Sequence, residues 1–155
     1  MTLVGWWPLT ESSGDAQDYS GNGNTGTSSN ITYDVSTILG YSTYSFNGND
    51  SSPSNVVLSP FAFDSSPFTF SAWFRSTNTT ERQMITINGY DGGDRLAQLL
   101  LLSSGELYFF TRDSSSTDSI TSTDTYQDSS WHHGVGVRGS NTTYLYIDGV
   151  LEDTT

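Results

Sequence analysis

Two histidines, His132 and His133, stand side by side in "SSWHHGVGVRGSNTTYLYIDGVLEDTT" and are the only two in 155 residues. Adjacent imidazoles suggest a metal site or a general base. The surrounding pattern reads as a strand, however, and on a strand successive side chains point to opposite faces. The pair therefore cannot ligate one ion or act as base and partner, and neither histidine has an evident Ser and Asp partner in sequence. Trp131, His133, Val135 and Val137 make the face expected to be core, which leaves His132 with Gly134 and Gly136 on the other. Both histidines are expected to be structural.

Carboxylates are the next chemistry. Glycoside hydrolysis needs two acids roughly 5 to 10 Å apart across a sugar. The glutamates, Glu11, Glu81, Glu106 and Glu152, are isolated near expected turns or strand ends. Asp91 and Asp94 in "GYDGGDR" are close together, but a glycine-rich turn positions groups poorly. The expectation is a protein that is not an enzyme. The loop "DAQDYSGNGNTG" is the best place for an ion, because calcium takes six to eight oxygens at flexible distances and Asp, Asn and glycine-exposed carbonyls supply them. The same residues also suit a turn held by Asx hydrogen bonds with no metal.

Aromatic residues offer binding. The C–H faces of sugar rings stack on Trp and Tyr while Asp, Asn and Arg bond the hydroxyls. Tyr90 with Asp91, Asp94 and Arg95, and Tyr126 after a low-complexity stretch, are the candidate ligand contacts. Trp6, Trp73, Trp131, Phe70 and Phe109 are expected to fill the core.

These groups must be carried by strands. There are 47 Ser plus Thr, 4 Glu and no Lys, and hydroxyl and β-branched side chains disfavour long helices. "TLVGWWPL" reads as a first strand, and "TYSFNGND" and "NVVLS" as a pair. "FTFSAWFRS" alternates, with Phe68, Phe70, Ala72 and Phe74 on one face. "RLAQLLLL" is a strand buried on both faces, which "SSG" turns into "ELYFFTR". Residues 113–125 read as a loop containing a short strand. Asp148-Gly149 marks a two-residue hairpin turn. About ten strands and no helix give an all-β, two-sheet antiparallel β-sandwich in one domain, 1–155.

The net charge of −12 without a single lysine leaves no basic patch for nucleic acid or an anionic membrane. Carboxylate-rich, lysine-free surfaces suit very high salt, where the solvent screens their repulsion; an acidic secreted protein from an ordinary environment is the alternative. Absent cysteine excludes disulfides and thiolate sites. No apolar run reaches the length of a membrane span. N-x-S/T sequons stand at Asn30, Asn49, Asn78 and Asn141, compatible with a glycosylated exterior.

Three ordered landmarks, "WWPLTESSGDAQDYSGNGNTGT", "YSFNGND" followed by "FTFSAWFRS", and "SSWHHGVGVRGSNTTYLYIDGVL", resemble the laminin G-like branch of the concanavalin A-like lectin and glucanase superfamily. The resemblance implies a jelly roll used as an extracellular recognition or adhesion module, on a cell or virion surface, that binds a cell-surface glycan or glycoprotein. It implies that Trp-His-His is a structural signature. It also implies a calcium loop in which Asp18, with Asn22, Asn24 and neighbouring carbonyls, supplies ligands. The Glu-x-Asp-x-x-Glu motif of the fold's glucanases is missing. Relatives continue past the hairpin at Asp148-Gly149 with further strands, so the sandwich is expected to lack its last strand or strands here: either the chain is a fragment of a longer polypeptide, or a neighbouring chain supplies the strand, or the domain is circularly rearranged, and an uncapped sheet edge favours a homo-oligomer or larger assembly. A structural assembly protein of that kind is the alternative to a lectin, and a glycan-cleaving enzyme ranks behind both.

Overall fold

The computed structural model describes residues 2–38, 40–48, 51–58, 66–89, 95–113 and 116–155. Among them are twelve β-strands and no helix, so the all-β expectation holds. Among the described residues no helix is long and apolar enough to cross a membrane. The chain forms two compact units, Met1–Ser59 and Pro60–Thr155.

In the amino-terminal unit the strand expected over "TLVGWWPL" does not form, and residues 2–10 are irregular. Side chains of the next loop take up backbone groups that a partner strand would otherwise bond: the Asn22 amide donates to the carbonyls of Leu3 and Val4, and the Trp6 N–H donates to Asp18. The strands come later. β1 (Thr27–Ser29) pairs with β4 (Asn55–Val57), and β2 (Thr32–Ile38) pairs with β3 (Tyr41–Ser45), all antiparallel. The expected pairing of "TYSFNGND" with "NVVLS" is thus corrected. β3 folds onto its nearest neighbour, which costs little loop-closure entropy, while Asn47 and Ser54 are linked to each other: Asn47 N–H donates to Ser54 Oγ, and Ser54 N–H to Asn47 Oδ1. Ala16 and Tyr44 are buried, and Tyr33 meets Tyr44 edge to face at 5.0 Å.

The second unit is a sandwich. β5 (Phe68–Phe74), β10 (His132–Arg138), β11 (Thr143–Ile147) and β12 (Val150–Thr154) form one sheet in the order β12-β11-β10-β5. β6 (Gln83–Gly89), β7 (Leu96–Leu101), β8 (Glu106–Arg112) and β9 (Thr117–Thr125) form the other in sequence order. The chain leaves β5, builds the whole second sheet, and returns as β10 to pair antiparallel with β5. Between the sheets lie Phe74, Leu99, Leu101, Leu107, Phe109, Ile120, Leu145 and Ile147, with Phe68 and Phe70 packed against them. Burying each such side chain contributes about 1.5–3 kcal/mol. The alternation of β5 and the two-faced burial of β7 are as the sequence suggests.

Three further expectations are corrected. First, residues 117–125 form the longest strand of the described chain, with nine residues. Ile120 enters the core opposite Phe109, and the Ser122 hydroxyl accepts from the Leu107 N–H and donates to the Asp124 carbonyl. Second, Trp6 and Trp73 do not fill the core, being 56% and 53% exposed. Phe109 does. Third, the faces of β10 are the reverse of those expected. Gly134, Gly136 and Arg138 are buried, while Val135 and Val137 are only partly so. The glycines face inward because the opposite sheet comes too close for a side chain: a Cβ on Gly136 would lie 2.3 Å from Phe109 Cδ2, and one on Gly134 2.9 Å from Leu107 Cδ2.

Gly136→Val should therefore lower unfolding stability by about 1–3 kcal/mol or more through overpacking, measured by urea or thermal denaturation. Adding Phe109→Leu should recover part of that loss. A Gly136→Val protein as stable as the wild type would refute the close approach.

Candidate functional site

The alternation of β10 separates the two histidines. His132 lies on the inner side at the sandwich's end, between two acids: its Nδ1 is 2.8 Å from Asp148 Oδ2 and its Nε2 is 3.1 Å from Asp128 Oδ1. Tyr126 meets the ring edge-on at 4.9 Å. Asp148 sits at the hairpin turn with φ 52° beside Gly149 at 83°, the left-handed pair that a two-residue turn requires. Its second oxygen accepts the His133 N–H at 2.8 Å. The sequence shows the turn but not this second role, and the Asp partners of His132 that are not evident in the sequence come from the turn and from the segment before β10. Desolvation opposes protonation of His132, but the hydrogen bonds and charges of Asp148 and Asp128 outweigh it and raise its pKa. The Ser130 amide and His132 lower the pKa of Asp128. Desolvation acts against the lowering at Asp148, yet His132 and the His133 amide prevail there too.

His133 faces outward, where its ring stacks on Trp73 at 4.9 Å and its Nε2 is 2.8 Å from Ser71 Oγ. Among the described residues its ring makes no hydrogen bond to a carboxylate, so this contact lacks the third group that orients a catalytic histidine.

The loop expected to hold calcium is tied into a bracket. Asp18 Oδ1 accepts the N–H groups of Trp6 and Ser20, and Oδ2 accepts that of Asn24. Desolvation disfavours its charge, but the Ser20 hydroxyl and these amides hold its pKa well below the usual carboxylate range. Asn22 and Asn24 turn their NH₂ groups onto the Val4 carbonyl, and the Asn24 carbonyl accepts from Trp7 Nε1. The Asp18 carboxylate thus accepts three backbone amides of its own segment, the arrangement of an Asx-type turn held by hydrogen bonds. Among the described residues no group of three or more His, Asp or Glu is placed to hold a metal ion. The bracket instead sets Trp6 against Tyr19, both exposed, at 6.0 Å.

Of the expected ligand contacts, Tyr90, Asp91 and Asp94 lie outside the described residues, as does the sequon residue Asn49. Arg95 is exposed immediately before β7. Tyr126 is not an open surface contact. It packs against the core and donates to Glu152 Oε1 at 3.2 Å, and burial with the Glu152 charge pushes its pKa up to about 12. The Asn30 and Asn78 side chains are hydrogen-bonded in turns, whereas Asn141 is exposed between β10 and β11.

The outer face of the β6–β9 sheet carries a platform that sequence reasoning missed. Tyr108 and Phe110, two apart on β8, stack at 6.2 Å with their planes 23° apart. Gln98 lies directly opposite Phe110 on β7. With Leu96 and Arg82 they line a shallow depression of about 210 Å³. The alternation of "ELYFFTR" was the signal: once Leu107 and Phe109 face the core, Tyr108 and Phe110 must face away.

Two four-stranded antiparallel sheets joined by a crossover are the architecture of a jelly roll. The chain belongs to the concanavalin A-like lectin/glucanases superfamily, whose laminin G-type model matches residues 47–155. Among solved structures it is similar to domains LG4-5 of the mouse laminin alpha1 chain, with 14% identity, a TM-score of 0.52, and 58% of this chain and 23% of that one covered. It is also similar to residues 221–444 of an S-layer domain-containing protein from Clostridium thermocellum, with 24% identity, a TM-score of 0.56, and 97% of this chain and 71% of that one covered. At these identities the likeness shows the fold. No curated protein matches in sequence.

Two measurements test these clusters. His132 has a raised folded pKa, so its contribution is fully present below its unfolded pKa of about 6.5 and is lost as pH rises through the folded value. Between pH 5 and 8 the wild type should lose about 2–4 °C in Tm relative to His132→Gln; parallel curves would refute the ion pairs. Asp18→Ala should lower Tm and increase proteolysis near residue 6. Calcium should leave the wild-type Tm unchanged if hydrogen bonds alone hold the loop, whereas a saturable rise would show that the loop binds the ion.

Proposed function

We propose that the protein is a non-catalytic extracellular recognition and adhesion module that binds glycans or glycoproteins, carried in many copies on a cell-surface or virion appendage in high salt. The observation that carries this reading is the Tyr108–Phe110 platform. Paired rings on a rigid strand offer a flat apolar surface to a sugar's C–H face. They lose little conformational freedom on binding, because the sheet already orders them. The Tyr108 hydroxyl, the Gln98 amide and Arg82 make no side-chain hydrogen bond among the described residues, which leaves their donors and acceptors for a ligand.

Superfamily membership and the S-layer and laminin likenesses accord with an exposed, extracellular setting. A depression this shallow gives weak single contacts, and many copies make such contacts effective. The charge of −12 without lysine supports the saline setting, since salt removes the self-repulsion that would otherwise oppose close packing of copies.

A glycan array in molar salt should show a defined set of binders. Tyr108→Ala and Phe110→Ala should each weaken binding about 10- to 30-fold, as expected when an aromatic anchor worth about 2 kcal/mol is truncated. The reading fails if nothing binds, or if both variants bind like the wild type.

A further inference from the structure

We infer that the depression on the β6–β9 sheet takes a pyranose carrying a carboxylate, a hexuronic acid unit, with its ring on Tyr108 and Phe110 and its carboxylate on Arg82. The inference rests on the glycan reading of the same site and goes on to the charge of the sugar.

The chain has five arginines, no lysine and 17 acidic residues, so where its few cations stand is informative. Arg138 is buried and paired with Asp113. Arg75 lies over the Trp131 ring at 5.3 Å, and Arg112 is also engaged. Arg95 is exposed but does not line the depression. Arg82 is exposed, makes no hydrogen bond or ion pair among the described residues, and stands at the rim of the aromatic depression. A neutral sugar would need only the stacked rings and the Gln98 amide. A guanidinium beside them adds a planar fork that matches a carboxylate with two parallel hydrogen bonds.

The rest of the chain opposes an anionic ligand at long range. High salt resolves that conflict, because the Debye length falls to about 3 Å at 1 M. The repulsion of distant acids is then screened, while direct contact with Arg82 persists. The volume of about 210 Å³ is below the ~300–1,000 Å³ of drug-sized pockets, so the depression suits one ring of a chain that passes over the face.

The test uses trigalacturonate and its methyl ester, titrated in molar sodium chloride against the intact chain and against Arg82→Gln and Tyr108→Ala. The wild type should prefer the acid about tenfold or more. Arg82→Gln should bring the acid-to-ester ratio close to one, a change that misfolding alone does not produce, and Tyr108→Ala should weaken binding of both. Equal binding of acid and ester by the wild type, or a preference that survives Arg82→Gln, overturns the inference. So does dextran sulfate competing better than trigalacturonate, which would assign the rim to a sulfate ester. If neither oligomer binds while glycans on the array still bind through Tyr108, the carboxylate assignment fails and the lectin reading stands. If no glycan binds at all, both fall.

Discussion

The sandwich depends on one steric condition: Phe109 of β8 lies against the backbone of β10, at a place where any side chain would collide with its ring. Gly136 meets that condition and Gly134 meets a milder version beside Leu107. Strand alternation then places the residues on either side. With the glycines inward, His132 falls on the inner side, among Asp128, Asp148 and Tyr126, and His133 falls outside against Trp73 and Ser71. The same ring, by occupying the interior, commits its neighbours Tyr108 and Phe110 to the opposite surface of their sheet. One contact between two sheets thus positions both the histidine cluster and the aromatic platform.

Elements whose pattern depends only on their own residues are legible in the sequence. The alternation of β5, the apolar run of β7 and the Asp148-Gly149 turn are all of this kind, and so is the separation of the two histidines. Features that depend on a facing partner are not. Hydrophobicity favours Val135 and Val137 for the interior of β10, but shape complementarity to Phe109 selects the glycines. Residue type alone sends Trp6 and Trp73 to the core, where neither lies. β9 is hidden because its composition is that of a loop, and its strand character comes from pairing with β8. The Asp18 loop is legible as a constrained, oxygen-rich turn; that its constraint comes from amide donors emerges only once the 3–7 segment lies beside it.

Charge is distributed with a similar economy. The acids near His132 each serve more than one group. Asp148 holds a turn, an amide and an imidazole, and Asp128 holds an imidazole and the Ser130 amide. Of the few cations, one neutralises a buried acid and another covers an aromatic ring. A molecule with so little positive charge has little to spare for non-specific attraction to anionic surfaces.

The composition of β9 leaves most of its positions open to change. The strand sits at a sheet edge, and its buried positions are Ile120 and Ser122. Its remaining residues are small, polar and largely exposed, so exchanges among them cost little in packing. One apolar anchor and one hydroxyl are enough to keep the strand in place while the letters around them drift. Such a segment tolerates exchange at most of its positions without losing its place in the sheet.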